Sequence, residues 1–333
     1  MATLSELELA IIDRHARVAG MGAKRRVPQH ADRHSVYDPR TGRLHVHKAD
    51  RRKSAEQQHV FESARDGVAN TLTVAHPLKF WDLRRRATAR ETARLQGFPE
   101  GFALPRAAHN ALFAKAVSVP VAAYAVRSAA RGGPPVRTFV DVCAGIGGFH
   151  LAVAAAGDAG DAAPRCVGFS EICAQAARCY AANFPDAPAL GSLFEAAWPA
   201  CDLVCMGFPC QPFSRCMQSA ERASHRDRHV CEALPSILDA TGARLVVLEN
   251  VRSILTLGKE QLDFLERALA ARGFAWTHRV LDSKDFGLPQ TRKRLYILAA
   301  RTHAPEWEAH APVRATLRSI LEEGRGHDDA ECS

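Results

Sequence analysis

No cysteine occurs before Cys143 in this chain of 333 residues, and no two of its ten cysteines form a C-x-x-C pair. That spacing excludes a zinc ribbon and a regular disulfide framework, so no metal is expected and a reducing compartment fits best. Long apolar runs are missing too. The stretch Leu112–Val126 is broken by Lys115 and falls short of a membrane span. The start, MATLSELELAII, carries Glu6 and Glu8 where a secretory signal carries positive charge. The expectation is a soluble intracellular protein without membrane association, in the nucleus if eukaryotic and the cytoplasm if prokaryotic. No internal repeat is present. Hydrophobic residues make up 47% of the chain, enough for a buried core, which excludes wholesale disorder.

What is present is a formal charge of +8, and it is uneven. Residues 1–136 hold 23 Lys+Arg against 12 Asp+Glu, whereas residues 137–333 hold 21 against 24. Arginine supplies 36 of the 44 cations, which suits bidentate phosphate contacts, although GC-rich coding produces the same bias. Regional basicity of this kind points to a nucleic-acid partner.

From Arg137 onward, the strand patterns RTFVDV, RCVGFS, CDLVCM, RLVVLEN, WTHRVL and KRLYILA alternate with the helical patterns GGFHLAVAAAG, ICAQAARCYAANF, VCEALPSILDATG and EQLDFLERALAARG. That alternation predicts an α/β fold with a mostly parallel sheet covered on both faces, which binds ligands at the carboxyl ends of its strands. Residues 1–70 are rich in His and Arg and read as a small, mostly irregular segment with a turn at residues 38–42. A helix is expected between Ala87 and Gly97, opened by a capping box of Thr88 and Glu91. Residues 129–136 read as a linker, and residues 322–333, after Leu321, as a disordered tail.

Five motifs carry chemistry. The run Phe139-Val-Asp141-Val-Cys143-Ala-Gly145-Ile146-Gly147-Gly148 places glycines directly after a strand and before a helix, where backbone can pass close to a ligand. The next strand ends at Glu171, a carboxylate placed to hold a ribose diol or simply a surface glutamate at a strand end. Together they favour an adenosine-containing cofactor. Gly207-Phe-Pro209-Cys210-Gln211-Pro-Phe-Ser214 follows the third strand, and a loop stiffened by two prolines has little reason to bury a thiol. The following strand ends in Glu249-Asn250-Val251, so neighbouring strand ends bring nucleophile and acid to one substrate. Gln290-Thr-Arg292-Lys-Arg294 precedes the last strand, and alternation sends both arginines to one side.

In combination these residues resemble the cytosine-C5 methyltransferases, which act on DNA and, in one branch, on tRNA. The resemblance covers roughly residues 70–126 and 137–300. The glycine turn is similar to the family's first motif, Glu171 to its second, Pro209-Cys210-Gln211 to its catalytic loop, Glu249-Asn250-Val251 to its acid motif, and Gln290-x-Arg292-x-Arg294 to its arginine motif. Thr88-Ala-Arg90-Glu91-Thr-Ala-Arg94-Leu95-Gln96-Gly97-Phe98-Pro99 resembles the ninth motif, and Ala114-Lys115-Ala116-Val117-Ser-Val119-Pro120 the tenth. These two close the chain in most of the family and here precede the first, which looks like a circular permutation. On this reading residues 1–70 are the remnant of target recognition, residues 71–128 the permuted motifs packing on the core, and residues 137–321 the catalytic and cofactor-binding core. Cys143 stands where the family usually has Phe, Ser192 where it has Asp, Lys115 where it has Asn, and Ile172 where it often has a larger ring.

The resemblance implies a Rossmann-like sheet and S-adenosyl-L-methionine as cofactor. Its binding residues would be Phe139, Asp141, Cys143, Gly145, Ile146, Gly147, Gly148, Glu171, Ile172, Ser192, Pro209, Lys115 and Ala116. It implies methylation of cytosine C5 in DNA through a covalent Cys210–C6 adduct with base flipping, assisted by Glu249, Arg292 and Arg294. Gln211, Ser214, Arg90, Arg94 and Gln96 would contact DNA. The protein is expected to be monomeric. A tRNA methyltransferase and a non-catalytic nucleic-acid-binding relative are the alternatives.

Overall fold

The computed structural model describes residues 32–38, 43–49, 59–64, 67–74, 77–80, 85–105, 109–157, 163–209 and 226–322, the first three segments by their backbone. Strands β1 (Asp32–Asp38), β2 (Arg43–Ala49) and β3 (His59–Ala64) join the short β4 (Lys79–Phe80) and β5 (Arg85–Arg86) in a sheet of order β3-β2-β1-β4-β5. Three strands thus stand within the N-terminal segment that was expected to be mostly irregular. RLHVHKA alternates apolar and polar residues with period two, and such a pattern forms a strand even when its polar positions are His and Lys. Asp38 and Arg43 are register partners across the expected turn, whose residues 39–42 lie outside the described residues.

The helix α1 (Ala89–Leu95) begins as its sequence dictates. The Thr88 hydroxyl accepts from the Glu91 N–H, and Glu91 accepts in return from the Thr88 N–H, closing the capping box. Two further helices follow, α2 (His109–Lys115) and α3 (Val119–Ala130). Because α3 runs through Ala130, the connection to the sheet begins at Arg131, two residues later than the expected linker.

The main sheet is built from β6 (Thr138–Val142), β7 (Arg165–Ser170), β8 (Leu203–Gly207), β9 (Leu245–Val251), β10 (Ala275–Asp282) and β11 (Lys293–Ala300), in the order β10-β11-β9-β8-β6-β7. The four strands β7, β6, β8 and β9 are parallel, and the β10–β11 hairpin adds an antiparallel edge. Helices α4 (Gly148–Ala156), α5 (Ala174–Asn183), α6 (Leu234–Thr241), α7 (Ile254–Leu257) and α8 (Lys259–Ala270) connect or cover it.

Strand alternation sorts the core into two layers. Val140, Val142, Val204, Met206, Val246 and Leu248 face α6 and α8 through Leu234, Ile237, Leu238, Leu262, Leu265 and Leu269. Phe139, Leu203, Cys205, Leu245, Val247 and Leu298 face the other way, toward α3 and α4 through Val121, Ala122, Val126, Phe149 and Val153. A third cluster joins Leu95, Phe98, Phe102 and Phe113 to Ile146, Leu317 and Ile320. Val117–Ala129 thus share the core of the sheet, and Ala87–Ala116 contribute to the third cluster beside it. Gln290 reinforces the join: its side chain accepts from the Leu72 N–H at 2.7 Å and donates to the Leu95 carbonyl at 3.1 Å. In the tail, Glu322 is held by Glu91 and Thr88, and residues 323–333 lie outside the described residues.

Candidate active site

The carboxyl ends of β6, β7, β8 and β9 form one edge, and β11, running the other way, begins there. Gly207 at the end of β8 is the register partner of Glu249 on β9. Cys210 is three residues beyond Gly207. Cys210 itself, with Gln211 and Ser214, lies outside the described residues. The loop's entry is anchored by the middle residue of the Glu249-Asn250-Val251 motif. Asn250, 2% exposed, donates its side-chain amide to the Phe208 carbonyl at 3.1 Å. Its own oxygen accepts from the Val251 N–H at 2.7 Å. Glu-Asn adjacency at a strand end was the available signal, since a buried amide needs partners and the neighbouring loop supplies one.

Glu249 is buried, and burial pushes its carboxyl above the usual range, against the lowering pull of Arg294 and then Arg292. Arg294 Nε stands 3.2 Å from Glu249 Oε1. Arg292 has a different partner set. It is 3% exposed, and its Nη2 donates to the carbonyls of Ala114 and Ala116 at 3.0 and 2.8 Å. The two arginines expected to assist catalysis differ in their contacts: Arg294 contacts the acid directly, while Arg292 clamps the segment before α3 and acts on Glu249 through its field.

The glycine turn is left-handed at Cys143 (φ 55°), Gly145 (57°) and Gly147 (90°). A side chain at Gly147 would strike Phe184, and one at Gly148 would strike Val117. At Gly145 the space is open. That opening is bordered by Glu171, whose carboxylate accepts from the Gly145 and Cys173 N–H groups at 2.9 and 2.7 Å. Ser170 donates to the Gly191 carbonyl at 2.8 Å, which ties the turn at Gly191-Ser192 to the end of β7. Ser192 accepts weakly from the Phe194 N–H at 3.4 Å. Two large apolar side chains stand exposed beside these groups, Ile172 at 71% and Phe194 at 68%. Phe194 was missed in the motif reading because it lies past the Ser192 position in a segment with no regular period.

Asp141 is fully buried, and burial followed by the nearby Glu171 charge raises its carboxyl well above the usual value. Neither oxygen completes a hydrogen bond of ordinary geometry, although the His150 N–H and the Tyr180 hydroxyl lie close enough to offset the rise in part. His150 is kept neutral, pushed down to about 4 by burial, and its Nδ1 is 2.9 Å from the Tyr180 hydroxyl. An adenosine cofactor with an ammonium group fits this set: an open glycine backbone, a carboxylate at the edge, exposed apolar flanks and a buried acid without a full partner.

The side chains of two expected site residues, Phe139 and Ile146, belong to the core. Phe139 is completely buried at the amino-terminal end of β6, packed among α3 and α4 residues, and does not reach the carboxyl edge. The Ile146 side chain is 1% exposed and packs with Leu95 and Phe113, so only its backbone borders the turn. Lys115 is exposed at the end of α2, Ala116 is buried beside it, and Pro209 is half-buried.

The residues expected to contact DNA in α1 and at its end make contacts within the fold. Gln96 is fully buried, with its amide donating to the Phe113 carbonyl and its oxygen accepting from the Ser118 hydroxyl. Arg90 donates to the carbonyls of Pro99 and Phe102. Arg94 pairs with Glu100 at 2.7 Å and donates to the carbonyls of Ile320 and Leu321. These side chains hold the fold together, which a motif match cannot distinguish from ligand contact.

Burial pushes the thiols of Cys166 and Cys179 up to about 11 and that of Cys201 up to about 12, which keeps them protonated and unreactive. Among the described residues, no group of three or more His, Cys, Asp or Glu could hold a metal ion. No described helix is long and apolar enough to cross a membrane.

Residues 137–329 match the family model of the C-5 cytosine-specific DNA methylases. Type II methyltransferase M.BanI of Aneurinibacillus aneurinilyticus is 34% identical over 170 residues, covering 50% of this chain and 39% of its own length. Type II methyltransferase M.BsuFI of Bacillus subtilis is 34% identical over 165 residues, covering 48% of this chain and 38% of its own. The chain thus spans about four tenths of the length of these relatives. A solved methyltransferase of Entamoeba histolytica, EhMeth, superposes with a TM-score of 0.47 at 18% identity, covering 58% of this chain and 62% of its own.

Proposed function

The chain belongs to the C-5 cytosine-specific DNA methylase family, and from that premise we propose that it methylates carbon 5 of cytosine in DNA, with Cys210 as nucleophile. The observation that carries this reading is the convergence of Gly207, Glu249 and Arg294 at one strand edge, with the Cys210 loop leaving from Gly207.

Carbon 5 of cytosine is a poor nucleophile within the aromatic ring. Addition of the Cys210 thiolate to C6 breaks the C5–C6 double bond and pushes its electron pair toward N3 and C5. A protonated Glu249 donates to N3 and draws that density, and burial favours the protonated form that this step needs. Arg294 fixes the Glu249 carboxyl and places positive charge beside the ring. Asn250 holds the nucleophile's loop at Phe208. Once carbon 5 has taken up the methyl group, its proton leaves to a base and the C6–S bond breaks with its electron pair returning to sulfur, which restores the C5–C6 double bond and frees the enzyme. S-adenosyl-L-methionine, when bound, supplies an electrophilic methyl group. The residues that would hold it are the Gly145 turn, Glu171, Asp141, Ile172 and Phe194, with Cys143, Gly147, Gly148, Ser192, Pro209, Lys115 and Ala116 around them.

Because C5 and C6 are hidden in a stacked duplex, the target base must be flipped out, at a cost of a few kcal/mol. A permuted order of motifs supports the same reading. The segment 114–130, which would follow the arginine motif in the usual order, packs against α4 and β11 and is clamped by Arg292. Residues 1–70 would then serve target recognition.

A methyl-transfer assay with labelled cofactor on duplex DNA and on tRNA, followed by base-resolution mapping, tests the proposal. Label in DNA cytosine is the expected result. Label confined to tRNA, or none on either substrate, contradicts it.

A further inference from the structure

Resting on the reading above, we infer that a second, basic groove beside the active site grips the phosphodiester backbone of the substrate DNA next to the flipped base. The groove has a volume near 580 Å³ and is lined by Arg252, Lys284, Lys293 and Arg314, together with Asp282 and Asp285. Four cations against two carboxylates leave it positive, although residues 137–333 taken together are slightly acidic. Asp282 is 7% exposed and already accepts the Arg292 N–H at 2.9 Å, so it lies on the floor. Arg252, Lys293 and Arg314 are exposed and Lys284 half-buried, and none of the four is in an ion pair among the described residues.

Topology places this groove at the catalytic edge. Arg252 follows the end of β9 three residues after Glu249, and Lys293 opens β11 one residue before Arg294. Asp282, at the end of β10, is the register partner of Lys293, and Lys284 follows it. Arg314 is brought in by its neighbour Val313, which exchanges backbone hydrogen bonds with Asp285 and Gly287 at 2.9 and 2.7 Å. Strand alternation points Lys293 and Arg294 to opposite faces, so the groove flanks the acid pocket and does not enter it.

The chemistry favours an extended polyanion over a small ligand. Small-molecule sites are mostly apolar and enclosed, whereas this groove is open and its cations come from four separate positions on the rim. Exposed Lys and Arg along an open channel form the electrostatic footprint of a nucleic-acid backbone.

The test is a salt titration of duplex-oligonucleotide binding by the full chain. In the variant Lys284→Gln/Lys293→Gln, the slope of log K against log salt should fall by about 0.9 for each cation removed. Affinity should weaken equally for unrelated sequences, and the Lys284→Arg/Lys293→Arg variant should keep the wild-type slope. Calorimetric binding of S-adenosyl-L-methionine monitors folding, and Arg252→Gln/Arg314→Gln takes the same measurement should the first pair misfold. Unchanged slope and affinity in the glutamine variants, with the wild type methylating DNA, overturns the groove and leaves the functional reading intact. A wild type that transfers no methyl group to DNA overturns both.

Discussion

Arg294 holds Glu249 from the adjacent antiparallel strand, Nε to Oε1 at 3.2 Å, yet the buried carboxyl still sits above its usual range. Desolvation outweighs the ion pair, which favours the protonated form that the proposed role of Glu249 needs. Activity should therefore fall as pH rises through the raised value. Removing Arg294 takes away a lowering influence, so Arg294→Leu should move that alkaline limb to higher pH while reducing kcat by about 10²–10³-fold, the usual scale for a lost electrostatic stabiliser. Single-turnover rates between pH 6 and 10 check this. A limb that stays put in the variant contradicts the assignment.

Arg292 should behave differently from its neighbour two residues on. Its guanidinium satisfies two buried carbonyls in the segment ahead of α3. Arg292→Ala should lower stability by about 3 kcal/mol, the scale for charged hydrogen bonds lost together with burial of unpaired carbonyls. Arg294→Leu should change stability much less. Urea unfolding of both variants distinguishes structural from catalytic roles.

Asp141 provides a pH-dependent stability signature. Its folded-state value is raised, so its contribution is fully present below the ordinary carboxylate range and is lost as pH rises through the raised value. Asp141→Asn mimics the protonated form. The variant should match the wild type near pH 4 and become more stable relative to it as pH rises through neutrality, read as the difference in Tm at pH 5 and pH 8. A difference independent of pH would count against a buried, proton-retaining acid.

Asn250 links acid strand and nucleophile loop through the Phe208 carbonyl. Asn250→Ala should reduce kcat about tenfold or more, because small misplacements of a reacting group are expensive. Its affinity for S-adenosyl-L-methionine should change less than kcat, since the contact is made to the carbonyl of Phe208 and not to the Gly145 turn. Stopped-flow chemistry and calorimetry report the two quantities separately.

The strands and helices after Arg137 were legible because alternation and helical period are local, and so was the capping box at Thr88 and Glu91. Clustering of Glu249 with the Gly207 strand end was legible because parallel register follows from βαβ order. The partners of Gln96, Arg90 and Arg94 were not, because they are carbonyls, a hydroxyl and a carboxylate set by tertiary packing. Phe139 failed for a related reason: a motif gives residue types, while the strand end decides which of them meet the ligand. The basic groove was hidden by averaging charge over half the chain. The N-terminal sheet was missed because His- and Arg-rich strands carry little apolar signal.

The most direct test of the account is methyl transfer by Cys210→Ala. Labelled S-adenosyl-L-methionine and duplex DNA should give product with the wild type and none with the variant, while DNA binding by the variant persists. Measurable turnover of cytosine by Cys210→Ala would contradict the mechanism outright.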